Sequence, residues 1–397
     1  MKIAINAVSA KMGGALTYVG QMLPELSRRV VSEEGGQLIL WSGRGDLDSA
    51  RGPSISLRYD RSVSERAGMA GTLDRIFFDQ ARVPYWLMRE KADALFSTAN
   101  FGPILCPCHH ILLVCNTIYF DKVFLGRAHS GVRAKYLMQR ALVLAGMAAA
   151  DILVFPSEAM QRLAMDALSA LKVFHKKTMI APFGVRHDLF FPDPGQNSQN
   201  SQNSIDAGDN PISLLNVSHY CDQKNLGTLF SAMEILSRKY PNRFHLKISA
   251  GIEQKDLEGH PHYPNLVRER NQFRALQQSG SAVDLGTLPY AALPALYRSS
   301  NLFVFPSYTE SFGFPLVEAM ASGLPIVASD IPIMREQCGD AAVYANVFDP
   351  VSLSEAILSV AGDAQLRQSL RKKALERAKR FNWEAHVEQL MKAFHQR

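Results

Sequence analysis

The chain has 397 residues, 47% of them hydrophobic and 20% charged, with a net charge of +6. That length exceeds one ordinary core and predicts two domains, and the composition is that of a globular protein. No apolar run approaches the roughly 18 residues that span a bilayer, and five cysteines in a chain this size make no disulfide framework.

The N-terminal Met1-Lys-Ile-Ala-Ile-Asn6 has no charged leader before a long apolar stretch, so it reads as a strand of a cytoplasmic protein rather than as a signal peptide. Strand and helix patterns then alternate: a helix over Ala15–Val31, strands at Gln37–Trp41 and Ser54–Tyr59, and a helix over Leu73–Arg89. Short strands follow at Ala94–Ser97 and His110–Val114, then a helix over Val132–Ala149. A strand at Asp151–Phe155 leads into a helix at Ser157–Ala170, with Ser157 as its natural N-cap.

Residues 196–204 are a polar Gln/Asn/Ser repeat that cannot bury enough apolar surface to fold. After them the alternation restarts with strands at Ile212–Val217, Phe244–Ala250, Ala282–Leu285, Leu302–Phe305 and Pro325–Ala328. Helices at Leu226–Tyr240, Tyr263–Gln278, Ala291–Arg298 and Leu316–Ala321 lie between them, and a helical tail ends in Trp383–Phe394. The alternation predicts parallel α/β sheets in both halves, with ligands at the carboxyl ends of the strands.

Three segments carry candidate chemistry. In Lys11-Met-Gly13-Gly14, after the first strand, small residues let backbone approach a phosphate, although the dinucleotide pattern G-x-G-x-x-G is absent. In Asn216-Val-Ser218-His219-Tyr-Cys-Asp-Gln-Lys224-Asn225, a lysine stands at a helix start, where the dipole disfavours a cation unless an anion is near. In Pro306-Ser-Tyr-Thr-Glu310-Ser-Phe312-Gly313-Phe314-Pro315-Leu316-Val-Glu318, a strand, a glycine loop and a helix start make an anion site flanked by two carboxylates. Gly313 and Pro315 argue against one solvated helix across that pair.

These motifs resemble the retaining family-4 glycosyltransferases of the two-domain GT-B fold. The resemblance is carried by Glu310 and Glu318 in the E-x7-E pattern, by Phe312-Gly-Phe-Pro-Leu316, and by Ala321-Ser-Gly-Leu-Pro-Ile-Val-Ala328. Weaker matches are Gly13-Gly14, Phe155-Pro-Ser-Glu158 and Ala181-Pro-Phe-Gly-Val185. The resemblance implies two Rossmann-like domains facing across a cleft: an acceptor-side domain over 1–190, a linker over 191–211 and a nucleotide-sugar domain over 212–380. It places the last segment, 381–397, back on the first domain.

Glu318 is then expected to hold the ribose hydroxyls and Glu310 to contact the donor sugar. Backbone groups of Phe312, Gly313 and Phe314 are expected at sugar hydroxyls and phosphate, with Leu316 beside them. Lys224 is expected to neutralise the diphosphate, Gly14 to approach it with Gly13, and the Leu288 backbone to meet the nucleobase. Ser218, His219 and Asn225 complete the donor-binding set.

The chain departs from the family where His219 stands for the usual arginine and Ser218 for a common glycine. Cys115-Asn116-Thr117 replaces a common histidine motif, which makes Asn116 the acceptor-side candidate. The implied reaction moves a hexose, with mannose as the guess, from a nucleotide-diphosphate sugar to a glycan or lipid-linked acceptor in surface polysaccharide synthesis, without cofactor or metal. A nucleotide-sugar epimerase and a non-catalytic sugar-nucleotide binder are the alternatives.

Residues 1–192 hold 23 Lys and Arg against 16 Asp and Glu. With the basic, apolar segment Val132–Leu144, this leaves two readings open: a helix packed on its sheet, or peripheral contact with an anionic membrane. No aromatic RNA-binding or zinc-finger signature accompanies the charge, so nucleic acid is not an expected partner. Two short patterns invite metal. Cys106-Pro-Cys108-His109-His110 is too tight for usual zinc spacing, and Asp46-Leu-Asp48 stands too early for the single-domain metal-dependent transferases.

Overall fold

The computed structural model describes every residue except 11–12, 34, 44–54, 60–67, 129, 174, 193–210, 254–262 and 397. The Gln/Asn/Ser tract and Asp46–Asp48 lie outside the described residues. The chain divides into two compact units. The first comprises Met1–Asp121, Ala134–Gly184 and Trp383–Arg397; the second comprises Lys122–Arg133 and Val185–Asn382.

In the first unit, seven parallel strands lie in the order β3-β2-β1-β4-β5-β6-β7. They are β1 (Lys2–Asn6), β2 (Gln37–Ser42), β3 (Ile55–Tyr59), β4 (Ala94–Ser97), β5 (His109–Leu113), β6 (Ile152–Phe155) and β7 (Lys177–Ile180). Central strands such as β4 and β6 are buried throughout, as expected of a parallel sheet covered on both faces. Ser157 is extended and accepts a hydrogen bond from the Met160 amide, which starts the helix Glu158–Ser169 where its side chain dictates.

The second unit holds six parallel strands in the order β10-β9-β8-β11-β12-β13. These are β8 (Ile212–Val217), β9 (Phe244–Ser249), β10 (Ala282–Asp284), β11 (Leu302–Phe305), β12 (Ile326–Ser329) and β13 (Val343–Ala345). Their core joins Leu214, Leu246, Ile248, Val304 and Val327 to Phe230, Met233 and Phe273 from the covering helices. Each such side chain contributes about 2 kcal/mol by leaving water. Asp349 and Asp363 cap the helices Pro350–Gly362 and Ala364–Ala378, each accepting two backbone amides. The expectation of two Rossmann-like α/β sheets is met.

Several elements among the described residues were not anticipated, three of them in the helix and strand framework. The helix Lys122–Arg127 has only six residues. Strand β7 is an edge strand with an exposed, lysine-started face, and β13 has three residues. The helix that follows β11 runs Phe314–Ala321, starting two residues before Leu316, because Gly313 supplies a left-handed turn at φ 84°.

The helix Trp383–His395 packs within the first unit. Its Trp383 indole N–H donates to Gln21 at 2.9 Å. His386 bonds the Tyr18 hydroxyl at 2.9 Å, and its other ring nitrogen lies 3.1 Å from the Ala181 carbonyl. Burial holds that imidazole near pKa 4, against the backbone carbonyls that raise it.

Candidate active site

The candidate residues of the second unit sit on the loops at the carboxyl ends of β8, β10 and β11 and, for Phe314, Leu316 and Glu318, in the helix Phe314–Ala321. After β8 the chain makes a single turn of 3-10 helix, Asp222–Lys224, and Asn225 adopts a left-handed conformation at φ 54° before the helix Leu226–Lys239. Asn225 locks this corner: its amide donates to the Pro306 carbonyl at 3.0 Å and its oxygen accepts from Thr228 at 2.8 Å. Its side chain is therefore spent on joining the β8 and β11 loops, and its backbone amide and carbonyl are bonded to Asp222 and Thr228.

Lys224 and Glu310 form a hydrogen-bonded ion pair, both largely buried. Burial alone would lower the Lys224 pKa, but the Glu310 charge offsets it and holds the ammonium above the ordinary lysine range. The ammonium also lies 5.4 Å from the Phe305 ring centroid. Phe305 forms the floor under this pair and under Gly313, where an added Cβ would stand 3.4 Å from the ring edge.

Phe312 and Leu316 are buried. Phe312 packs on Phe314 and Phe381, so its side chain is structural and its backbone is the part near the loop. Glu318 is 2% exposed, and its Oε2 accepts from the Tyr297 hydroxyl at 3.0 Å. Burial lifts its pKa to about 7, against the tyrosine hydroxyls of Tyr297 and Tyr290, which lower it.

Ser218 donates to Asn216 at 2.8 Å, and the Asn216 amide donates to the Val304 carbonyl at 2.9 Å. His219 is exposed at the loop tip. Leu288 is half-buried in the loop after β10. Asp284 braces that loop, accepting from the amides of Ala250, Gly251, Ile252 and Gly286 at 2.6–3.3 Å.

Gly13, Gly14 and Asn116 belong to the first unit. Gly13 opens the helix Gly13–Ser27 with φ 57° and open space where a Cβ would be, and Gly14 is exposed. Asn116 is exposed; its side chain accepts from the Ile118 amide and caps the turn Thr117–Tyr119. Its carbonyl accepts from Asn100 at 3.2 Å.

Sequence reading did not single out Asp222, Tyr297, Asp284 or Arg127. Asp222 and Asp284 carried a local signal, since each stands within four residues of a named candidate. Arg127 carried none. Among the described residues, no three His, Cys, Asp or Glu side chains are grouped to hold a metal ion. Cys106 and Cys108 are free thiols 3.9 Å apart, packed beside the Trp41 and Phe78 core. No described helix is long and apolar enough to cross a membrane.

Residues 197–377 match the family model described as "Glycosyl transferases group 1". The O-antigen chain mannosyltransferase B of Escherichia coli is 37% identical over 28% of this chain and 29% of its own length. The D-inositol 3-phosphate glycosyltransferase of Corynebacterium diphtheriae is 24% identical over 96% of this chain and 89% of its own. The match thus spans under a third of the first relative and most of the second. The sucrose-phosphate synthase structure from Thermosynechococcus elongatus superposes with a TM-score of 0.72 at 19% identity, covering 100% of this chain and 98% of that one. At that identity the likeness shows the fold.

Proposed function

We propose that this chain, whose residues 197–377 match the group 1 glycosyl transferases, transfers a hexose from a nucleotide-diphosphate sugar to a glycan or lipid-linked acceptor, with retention at the anomeric carbon. The observation that carries this reading is the buried Lys224–Glu310 pair beside the start of the helix Phe314–Ala321. A departing diphosphate needs positive charge that is already in place, and a charged, desolvated lysine and the amides of a helix start supply it.

In this reading the diphosphate takes Lys224 from Glu310. The Glu310 carboxylate then accepts from a sugar hydroxyl and faces the positive character that develops at the anomeric carbon. The amides around Gly313 hold phosphate and sugar oxygens, Glu318 accepts from the ribose hydroxyls, and the Leu288 backbone borders the base. Within the first unit, Gly13 and Gly14 at a helix start are suited to a phosphate and Asn116 to an acceptor. Mannose as the sugar, and surface polysaccharide as its destination, are supported by the relative named an O-antigen chain mannosyltransferase.

The test is turnover of a donor panel, GDP-mannose and UDP-glucose included, with lipid-linked glycan acceptors. Lys224→Ala and Glu310→Ala should each abolish transfer while leaving the fold intact. Transfer at wild-type rate in either variant sinks the site assignment, and product analysis for the anomer formed decides retention.

A further inference from the structure

Asp222 is fully buried and ionically bound to a residue from far earlier in the chain. Arg127 grips it as a fork: Nε donates to Oδ2 at 2.8 Å and Nη2 to Oδ1 at 2.9 Å. The Tyr308 hydroxyl donates to Oδ2 at 2.6 Å, and the Asn265 amide to Oδ1 at 3.2 Å. The guanidinium lies 5.6 Å from the Tyr308 ring centroid and 5.1 Å from that of Phe348.

The placement of these partners matters more than their number. Asp222 stands two residues before Lys224, and Tyr308 stands two before Glu310. The Tyr308 amide also donates to the Gln223 carbonyl at 3.0 Å. One carboxylate thus ties together the two loops that carry the ion pair. A carboxylate this buried persists in ionised form only with a fixed counter-charge, and Arg127 provides it. Arg127 closes the helix Lys122–Arg127, in a segment flanked in sequence on both sides by the first unit yet part of the second.

We propose that Arg127 is a positioning residue for the Lys224–Glu310 pair, acting through Asp222 and Tyr308 to hold both loops in register. The inference rests on the reading of Lys224 and Glu310 as donor-site residues. Without Arg127, the Asp222 carboxylate is left buried and uncompensated. It must then take up a proton or swing toward water, and either change releases the turn that presents Lys224. Lysine at 127 would restore the charge but not the two-pronged geometry.

The experiment compares the full chain with R127M, R127K, D222N and R127M/D222N, using GDP-mannose and UDP-glucose turnover and amide hydrogen exchange of the ligand-free protein. R127M should lower kcat about 10- to 100-fold, the scale of an ångström-sized misplacement, with donor KM changed less than about threefold. Exchange should rise in 218–225 and 306–313 while first-unit peptides stay unchanged. R127K should recover part of kcat, and R127M/D222N should regain loop protection because neither charge is left alone.

Unchanged exchange in both loops with kcat within about twofold of wild type overturns the proposal, since a true brace costs far more. So does a kcat loss accompanied by uniform loosening of the whole second unit. If the wild-type chain turns over no donor, the functional reading fails, and the exchange arm still decides the brace by itself.

Discussion

Replacing Glu318 with glutamine tests the candidate site through stability and binding together. Burial places this carboxyl at about pKa 7 where an exposed one titrates near 4.5. Because the folded pKa is raised, its stabilising contribution is complete below pH 4.5 and is lost as pH rises through 7. Above both values, holding the ionised form in the fold costs about 3 kcal/mol. Glutamine removes that cost but turns an amide toward the Tyr297 and Tyr290 hydroxyls, which returns about 1–2 kcal/mol of it.

The second unit of E318Q should therefore be more stable than wild type by about 1–2 kcal/mol at pH 8, which is about 2–8 °C in melting temperature, and no more stable at pH 5. Donor binding should move the other way. In the proposed ribose-binding role, losing charge-assisted bonds to two hydroxyls should raise donor KM about 10- to 100-fold. Wild-type donor KM should also fall as pH rises through 7 and the carboxylate forms, a dependence absent in E318Q. Calorimetry at both pH values and donor saturation curves read these effects. An E318Q melting point displaced equally at pH 5 and pH 8, or an unchanged donor KM, would refute the reasoning.

E310Q leaves the Lys224 charge buried without its partner and should cost about 3 kcal/mol, while K224M/E310Q should cost less than either single change, as read by denaturant unfolding. Gly313→Ala forces a side chain into φ 84° beside Phe305; it should cost about 1–2 kcal/mol in melting experiments and depress kcat by moving the helix start. Asp284→Ala removes the acceptor for four amides around the Leu288 loop and should narrow the preference between GDP and UDP donors in competition assays. The first unit should answer pH in the opposite sense to Glu318, because burial holds His110 and His386 near pKa 4. Their contribution is present above pH 6.5 and is lost as pH falls toward 4, so its melting transition should drop on acidification.

The strands were legible because a strand covered on both faces is a short apolar run whatever lies around it; Leu302–Phe305 and Ile212–Val217 read directly. The cap of Ser157 was legible because its signal is local. Strand β7 escaped because its exposed edge face does not look apolar, and Lys122–Arg127 because six residues carry too little periodicity. The partners of the candidate site escaped for a different reason. Glu318 meets Tyr297 across 21 residues, and Asp222 meets Arg127 across 95. Neither pairing has a local signature, so the residues that set the electrostatics of the site became visible only when the chain was folded.

Those partners define the state a donor must displace. The ligand-free second unit neutralises its charges internally: Lys224 with Glu310, Asp222 with Arg127, and Glu318 by holding a pKa near 7. In the proposed reaction, a diphosphate adds two negative charges and removes Lys224 from Glu310, so the freed carboxylate needs a new donor at once. A sugar hydroxyl held by the Gly313 loop meets that need only if both loops keep their spacing while the pair separates. The Asp222 tie does not involve the ligand and has no reason to break at that moment. Binding energy can therefore be directed at the separating pair rather than at reordering the loops, which is why a loss at Arg127 should fall on kcat while donor KM stays close to wild type.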